Sequence, residues 1–372
     1  MRTKKLVLFF TTGMSLRKWG EAGIIKREVK LYNELARDFD KIYFMTYGDK
    51  RELEYKHLLA DNIEVLYDRF GLGTVLYSLL APILHRKALE DADYFKTNQL
   101  NGSHTAVIAK VLFKKKLVVR QGYPWLKTLR EKNANVIKII IASISEKLAY
   151  KYADEIIVTT AQDRHEIILK YGMGCEISVI PNYVDTELFK PTEHPPEFQK
   201  TKKRLAYIGR LAPEKNLINL IDAVKDLDAE LFIIGGGSFG IKLKQKIDAE
   251  CIRNVYFMGR LDNELLPAIL QTSDIYVQVS TYEGSPKTIL EAMSCGLPVV
   301  GTNVRGIRDI IKDGENGYLC NTSADSIKET IRKVIDNGAA EVSTHARDYV
   351  LANFTLEKIM EKEREIYAQN GN

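Results

Sequence analysis

The sequence predicts an α/β protein with two doubly wound domains, each a parallel β-sheet covered by helices on both faces. Short apolar runs alternate with helix-length periodic stretches along all 372 residues. Strands that are apolar throughout are typical of parallel sheets buried on both faces. The alternation occurs in two successive series, and a chain of this length favours two domains over one.

The first series predicts seven strands and three clear helices. The strands are expected at 6–10, 42–46, 63–67, 94–97, 117–120, 155–159 and 177–180, and the helices at 21–37, 103–113 and 163–171. The second series predicts strands at 204–208, 230–234, 255–258, 275–279, 298–301 and 317–319, with helices at 216–225, 241–250 and 287–293. A last helical pattern covers 356–368.

The domain boundary is expected in residues 181–203, which contain four of the ten prolines and end in a charged run. That composition is typical of a linker. We therefore predict a first domain at 1–183 and a second at 184–354.

The net charge of +5 is unevenly distributed. Residues 1–190 hold 31 lysines and arginines against 23 aspartates and glutamates, whereas the rest of the chain holds 23 against 26. A basic first half suits phospholipid, lipid-linked phosphate or nucleic acid, although a solvated basic face explains it equally well. The basic residues are scattered and no nucleic-acid-binding signature occurs, so we expect no nucleic-acid partner.

The four cysteines lie far apart and form no C-x-x-C pair, which indicates neither a zinc site nor a disulfide scaffold. The D-x-D patterns at 91–93 and 226–228 lie at predicted helix ends, so we interpret them as surface carboxylates and expect no obligatory metal. No apolar stretch is long enough to cross a membrane. Two shorter ones, 72–84 and 136–144, lie near basic residues; each fits a membrane-surface segment or a core helix, and we favour the core.

The most informative segment is VSTYEGSPKTILEAMSCGLPVVGTN, residues 279–303, where Glu283 and Glu291 frame the start of a helix. Ser285 can cap that helix and Pro286 can occupy its first position. The amides at Lys287 and Thr288 then point outward at the positive end of the dipole, as a phosphate site requires. Carboxylates on either side would repel phosphate but accept hydrogen bonds from hydroxyls. A nucleotide sugar has this layout, because a sugar and a ribose, both with hydroxyls, lie on the two sides of its diphosphate.

A loop upstream, YIGRLAPEKNL at 207–217, places Arg210 and Lys215 after a strand that ends at Gly209. Two cations in one glycine-opened loop can converge on a diphosphate. This loop and the 279–303 segment together resemble the G-R-x-x-x-x-K loop and the glutamate, seven residues, glutamate signature of the retaining family-4 glycosyltransferases (glycosyl transferases group 1). The segment PNYVDTELF, residues 181–189, resembles the stretch that joins the two domains in that family.

The resemblance implies a GT-B fold, in which two Rossmann-like domains face a cleft and the last helix, at 355–369, returns to the first domain. It implies metal-independent hexosyl transfer from a UDP- or GDP-sugar to a hydroxyl on a glycan or lipid-linked glycan, with retention of configuration. Glu283, Arg210 and Lys215 would be catalytic. Donor contacts would come from Gly209, Gly235, Gly236, Arg260, Gly284, Ser285, Pro286, Lys287, Thr288 and, at the ribose, Glu291.

The segment GGGSFG at Gly235–Gly240 supports a rival interpretation. It matches G-x-G-x-x-G between a strand and a helix, and Asp262 follows as a dinucleotide site would require. An NAD-dependent enzyme is therefore one alternative, and a plain tight turn is another. The resemblance instead places these glycines beside the donor, and it also admits a sugar-nucleotide epimerase of the same fold.

Acceptor residues are expected at strand ends of the first domain, because such ends share one rim of a sheet. The candidates are Gly13, Trp19, Asn98, Arg120 and Gln121. Trp19 fits a sugar platform or plain packing equally. Many members of the family carry a histidine near 120–122; this chain has none there, and His104 is a weaker substitute. From the resemblance and the charge we expect a cytoplasmic protein that acts at the inner face of a membrane.

Overall fold

A computed structural model describes residues 4–131, 134–172, 174–192 and 202–368. The chain forms two compact units: Met1–Pro181 with Met360–Asn372, and Asn182–Ile359. Each unit has its own parallel sheet. Part of the predicted linker, residues 193–201, lies outside the described residues, as does residue 369 of the predicted last helix. The domain bounds 1–183 and 184–354 stay a prediction.

The first unit contains a seven-stranded parallel sheet in the order β3-β2-β1-β4-β5-β6-β7. Its strands are β1 (Lys5–Phe9), β2 (Lys41–Met45), β3 (Ile63–Leu66), β4 (Tyr94–Thr97), β5 (Lys116–Gln121), β6 (Glu155–Val158) and β7 (Glu176–Val179). Central β1 pairs with both neighbours, so that Leu6 lies opposite Ile42 and Tyr94. Every strand predicted for this half of the chain is confirmed; the inner strands β4 and β6 are buried on both faces, whereas the edge strand β7 is only partly buried.

The helices of this unit connect successive strands. They are α1 (Leu16–Glu21), α2 (Ile25–Leu35), α3 (Gly73–Leu84), α4 (Arg86–Asp91), α5 (Ser103–Phe113), α6 (Trp125–Glu131), α7 (Val136–Tyr152) and α8 (Ala161–Tyr171). The helix predicted at 21–37 is confirmed for Ile25–Leu35, but it begins later than expected. Gly23 adopts a left-handed φ of +68° and separates α1 from α2.

The two apolar segments near 72–84 and 136–144 form α3 and part of α7. Their inner faces enter the core through Tyr77, Ala81 and Ala149. Their outer faces are exposed, with Val75 at 77% and Ile137 at 66%. The core interpretation is therefore wrong for the outer half of each helix. No helix in the described ranges meets the length and hydropathy that a membrane crossing demands.

The second unit contains a six-stranded sheet in the order β10-β9-β8-β11-β12-β13. Its strands are β8 (Lys203–Ile208), β9 (Ala229–Ile234), β10 (Val255–Gly259), β11 (Ile275–Gln278), β12 (Val299–Thr302) and β13 (Tyr318–Cys320). Its helices are α9 (Leu217–Val224), α10 (Gly240–Ala249), α11 (Leu266–Thr272), α12 (Lys287–Ser294), α13 (Ala324–Asn337) and α14 (Ala340–Asn353). All six predicted strands are confirmed.

The last helix, α15 (Leu356–Ala368), starts in the second unit and belongs to the first from Met360 onward. Inside the first unit its Glu363 is buried and pairs with Lys96, while Arg120 Nη1 lies 3.5 Å from the same carboxylate. The predicted return of the last helix and the pair of Rossmann-like folds are thus confirmed.

Candidate active site

The candidate donor residues lie at the carboxyl edge of the second unit's sheet. Strands β8 and β11 are neighbours there, and the order of strands reverses between them. Parallel α/β sheets bind ligands at such a switch point, because the two flanking loops diverge and leave a crevice. The loop after β8 carries Gly209, Arg210 and Lys215, and the loop after β11 carries Glu283.

Lys215 and Glu283 form an ion pair at this edge, with side chains only 13% and 11% exposed. The same carboxylate oxygen accepts hydrogen bonds from Gln278 Nε2 and Ser280 Oγ, each at 2.7 Å. Two of the three residues predicted as catalytic are therefore brought together. The pair is largely shielded from water, so its charges act more strongly on a bound group than exposed charges would.

Backbone contacts fix the position of Lys215. It ends a short 3₁₀ turn, Pro213–Lys215, and the next residue, Asn216, has a left-handed φ of +57°. The amide of Thr281 donates to the carbonyl of Glu214 at 2.9 Å. This bond joins the loop after β8 to the loop after β11, so the cation and the carboxylate are held by one connected framework.

Three residues behind Glu283 were missed from the sequence. Tyr276, Gln278 and Ser280 are alternate residues of β11 and its extension, so they share one face of the strand. Tyr276 Oη donates to Gln278 Oε1 at 2.8 Å, and Gln278 donates in turn to Glu283. Burial raises the pKa of Tyr276 far above its usual value, so its hydroxyl keeps the proton that it donates. The alternation of polar residues along this buried strand could have identified the three residues from the sequence.

Arg210 takes a different orientation from Lys215. Its guanidinium is exposed and lies 3.2 Å from Glu214, four residues along the chain. Its carbonyl accepts a hydrogen bond from the hydroxyl of Tyr207 at 3.1 Å. The structure thus pairs Arg210 with Glu214 and pairs Lys215 with Glu283, and the two cations differ strongly in their exposure to solvent.

The helix that follows Glu283 begins at Lys287, as in the predicted range 287–293, but the residues before it differ from the predicted cap. Pro286 is the N-cap with ψ of 107°, and the helix starts at Lys287. Ser285 therefore does not cap the helix and Pro286 is not its first helical residue, because the extended ψ of Pro286 keeps it outside. The carbonyl of Ser285 accepts a hydrogen bond from Asn182 Nδ2 at 3.1 Å. Among the described residues no side chain caps this N-terminus, which keeps the positive end of α12 available to an anion.

Three further predicted donor residues, Lys287, Thr288 and Glu291, lie in α12. Thr288 contacts the hydroxyl of Tyr276, and Lys287 Nζ lies 5.5 Å from the centre of the Tyr183 ring. Glu291 is buried on the next turn. Burial, with a smaller contribution from the Glu291 charge, raises the pKa of Cys295 to about 12, so that thiol stays neutral. The predicted ribose ligand is thus a carboxylate held within the packed helix.

The glycine loops after β8, β9 and β10 lie against one another. Gly209 N donates to Ile234 O at 2.9 Å, and Gly235 N donates to Gly259 O at 2.7 Å. A Cβ at Gly235, whose φ is +139°, would lie 1.8 Å from Gly209 O, and one at Gly236 would lie 2.7 Å from Arg260 Nε. The structure therefore brings Gly209, Gly235, Gly236 and Arg260 together, at a spacing that only glycine permits.

Gly306 supports the Glu283–Gly284 turn from behind and was also missed. Its φ is +81°, and a Cβ there would lie 2.3 Å from Gly284 O and 2.6 Å from Glu283 O. The backbone of this loop can approach the turn so closely only because residue 306 has no side chain. Lys215 thus holds the side chain of Glu283, and the loop at Gly306 packs against its backbone carbonyl.

The predicted acceptor residues of the first unit are mostly packed inside it. Trp19 is 4% exposed and stacks on Phe10 with 4.5 Å between ring centres. The interpretation of Trp19 as a sugar platform is therefore corrected to core packing. Gly13 follows β1 with a left-handed φ of +74°. Asn98 is half-buried and donates to the hydroxyl of Tyr32 at 3.0 Å.

Arg120 and Gln121 end β5 but do not offer free side chains at its rim. They point to opposite faces of a sheet that is covered on both sides, so both are buried. Arg120 faces Glu363, and Gln121 accepts a hydrogen bond from the hydroxyl of Tyr150. The assignment of these two side chains to acceptor binding is corrected to internal contacts. His104 lies in the first turn of α5, where burial lowers its pKa.

Comparison with known proteins finds a family model that matches most of the second unit. Residues 189–349 match the family model for glycosyl transferases group 1. An uncharacterized glycosyltransferase of Methanocaldococcus jannaschii is 27% identical over 277 residues, 70% of each chain. The UDP-Gal:alpha-D-GlcNAc-diphosphoundecaprenol alpha-1,3-galactosyltransferase of Escherichia coli is 29% identical over 60% of this chain and 64% of its own length. The crystal structure of Anabaena HepE in complex with UDP-glucose superposes with a TM-score of 0.77 at 19% identity, covering 99% of this chain and all of the other.

Proposed function

We propose that this chain, whose second unit belongs to the glycosyl transferases group 1, transfers a hexosyl group from a nucleoside-diphosphate sugar to a hydroxyl acceptor with retention of configuration. The observation that carries the proposal is the shielded Lys215–Glu283 pair at the switch point of the second sheet. The nearby N-terminus of α12 and the packed glycine loops supply backbone groups around the same edge. UDP-glucose on the structural neighbour HepE makes a uridine diphosphate sugar the first donor to test, and GDP-sugars the second.

In the proposed mechanism Lys215 stabilises the negative charge that grows on the departing diphosphate. A fixed cation in a water-poor site is effective because it needs no reorganisation as the charge develops. Arg210 adds a second, more mobile cation after it leaves Glu214. The turn at Gly284 and Ser285, and the first turn of α12 through Thr288, direct backbone N–H groups at the same phosphates. Glu283 would accept hydrogen bonds from sugar hydroxyls, and Glu291 from the ribose.

The proposed acceptor is a glycan or a lipid-linked glycan. The Escherichia coli relative carries a diphosphoundecaprenol acceptor in its name, which favours a lipid-linked substrate here. Such an acceptor would place the reaction at the inner face of a membrane. The acceptor-side partner is not one of the buried residues Trp19, Arg120 and Gln121; Gly13 and Asn98 stay proposed contacts.

The first experiment measures binding and products on the full chain. Calorimetric titration with UDP, GDP and NADH should show binding of a nucleoside diphosphate and none of NADH. Incubation with UDP- and GDP-sugars and lipid extracts in the presence of EDTA should give a glycosylated product by mass spectrometry. The anomeric proton coupling in that product should match the donor. Binding of NADH alone would favour the dinucleotide interpretation of Gly235–Gly240, and donor epimerisation without transfer would favour the epimerase.

Gly306→Ala should lower turnover by about 10²-fold, because its Cβ would push the Glu283–Gly284 turn from behind. Gly314→Ala is the matched control. Gly314 has a similar left-handed φ of +74°, but no atom of the residues that the structure describes lies within 4 Å of its Cβ position. Both variants have the same unfavourable backbone conformation, but only Gly306→Ala adds a clash with the turn, so its melting temperature should fall further and only its turnover should be lost. Equal turnover in the two variants would contradict the supporting role of Gly306.

A further inference from the structure

Three neighbouring helices of the first unit form one layer. The connections from β3 through β6 all run in the same direction across the sheet, and right-handed crossovers place α3, α5 and α7 on the same face. Helix α5 packs between α3 and α7. The inner sides of the three helices supply core residues such as Tyr77, Ala106 and Ala149. Each helix is therefore held in the fold by one side and presents the other side outward.

The outward side of this layer is apolar over all three helices. On α3, Val75, Leu79 and Ile83 recur every fourth residue and are at least half exposed. On α7, Ile137, Ile141 and Ile144 form a second stripe with helical spacing, also more than half exposed. The end of α5 adds Val111 and Leu112 between them. We call this surface the apolar face. Contiguous apolar surface of this kind is rare on a protein unless something covers it.

The charges on and beside the apolar face are mainly positive; the exposed acid Asp154, just beyond α7, is paired with Lys110 of α5 at 2.6 Å. Helix α3 contains no charged residue, and α7 carries exposed Lys138 and Lys147 next to its apolar stripe. The acidic residue of α7, Glu146, is buried and lies 2.8 Å from Lys170. Lys114 follows the end of α5. An apolar surface bordered by lysines is complementary to a bilayer that has an apolar interior and anionic headgroups.

We propose that the apolar face docks on the surface of a membrane that contains anionic phospholipid. The outer side chains of α3 and α7 enter the boundary between headgroups and acyl chains, and Lys138 and Lys147 contact headgroup phosphates. A second copy of the chain is a poorer occupant. Two-fold pairing of this face would bring the same lysines of both copies close together, where like charges repel. The proposal concerns the first unit and holds whichever sugar the second unit binds.

The test is co-sedimentation of the full chain with vesicles of phosphatidylcholine alone or with about a third phosphatidylglycerol. The natural chain should pellet with the mixed vesicles, less with phosphatidylcholine alone, and less as salt rises. The double variant Ile137→Ser with Ile141→Ser should bind at least tenfold more weakly. Lys138→Glu with Lys147→Glu should weaken binding to a similar extent, and mainly to the anionic vesicles.

The matched control replaces two exposed apolar residues of the second unit, Ile241→Ser with Leu265→Ser, and should bind vesicles as the natural chain does. The circular dichroism spectrum and the melting temperature should be unchanged in every variant, which shows that the mutated first unit stays folded. Nucleoside-diphosphate affinity, which is proposed for the second unit, should also be unchanged, and it separates this test from that of the proposed function. The proposal is overturned if the natural chain stays in the supernatant, or if the apolar variant pellets as the control does. A dimer in light scattering that Ile137→Ser with Ile141→Ser abolishes would overturn it in favour of a second copy.

Discussion

Lys215→Ala is expected to lower turnover by about 10²- to 10³-fold. Such a loss corresponds to about 2.7–4 kcal/mol of transition-state stabilisation, the usual effect of removing one well-placed group that stabilises developing charge. The reason lies in the position of Lys215: its side chain is 13% exposed, and its loop is joined by a backbone bond to the loop that carries Glu283. Steady-state kinetics on the natural donor should show the loss in kcat more than in KM.

The control for this variant is Lys225→Ala. Lys225 is also a paired lysine of the second unit, lying 3.2 Å from Asp222 and 2.9 Å from Glu250, but those contacts are on the surface. Its replacement should leave kcat near the parental value, because exposed ion pairs contribute little. Glu283 keeps its bonds from Gln278 and Ser280 in Lys215→Ala, so the variant should remain folded. Parental turnover in Lys215→Ala would refute the phosphate role of this lysine.

The sequence predicted the strands better than it predicted which side chains are exposed. Short, mainly apolar runs such as 204–208 and 275–279 are typical of strands in a covered parallel sheet, so their positions followed from the pattern of residues. Exposure depends on neighbours that are distant in sequence. Trp19 is buried because Phe10 and its surroundings cover it, and the outer side of α7 is exposed because nothing in the described part of the first unit covers it.

The sequence predicted those residues of the candidate site that lie within one short motif, but not the contacts between loops. Lys215 and Glu283 were both identified from short motifs, but their mutual pairing required the adjacency of β8 and β11. Gly306 could not be identified, because its function depends on the carbonyls of Glu283 and Gly284 more than twenty residues earlier. Gln278 and Ser280 had a signal in the alternation of polar residues along a buried strand, and that period of two was overlooked.

Glu363→Ala should lower the stability of the first unit by about 3–5 kcal/mol, the usual cost of leaving a buried charge without its partner. Glu363 and Lys96 have side chains only 1% and 0% exposed, and Arg120 lies on the other carboxylate oxygen. Urea unfolding measures the loss. Glu365→Ala, in the same helix but exposed, is the control and should change stability by no more than about 0.5 kcal/mol.

The pH dependence of the stability of Glu363→Ala distinguishes two causes of its loss: a buried charge left without a partner, or a cavity. Burial lowers the pKa of Lys96, and Glu363 opposes that effect. Without Glu363 the pKa of Lys96 should fall further below its unfolded value, so the unfolded chain binds the proton more tightly. Stability of the variant should then rise between pH 7 and pH 9 relative to the natural chain. Adding Lys96→Met should restore much of the lost stability and remove its dependence on pH, because no buried ammonium would remain to be neutralised. A loss of stability that does not depend on pH would mean that the packing of α15, rather than charge, accounts for the loss.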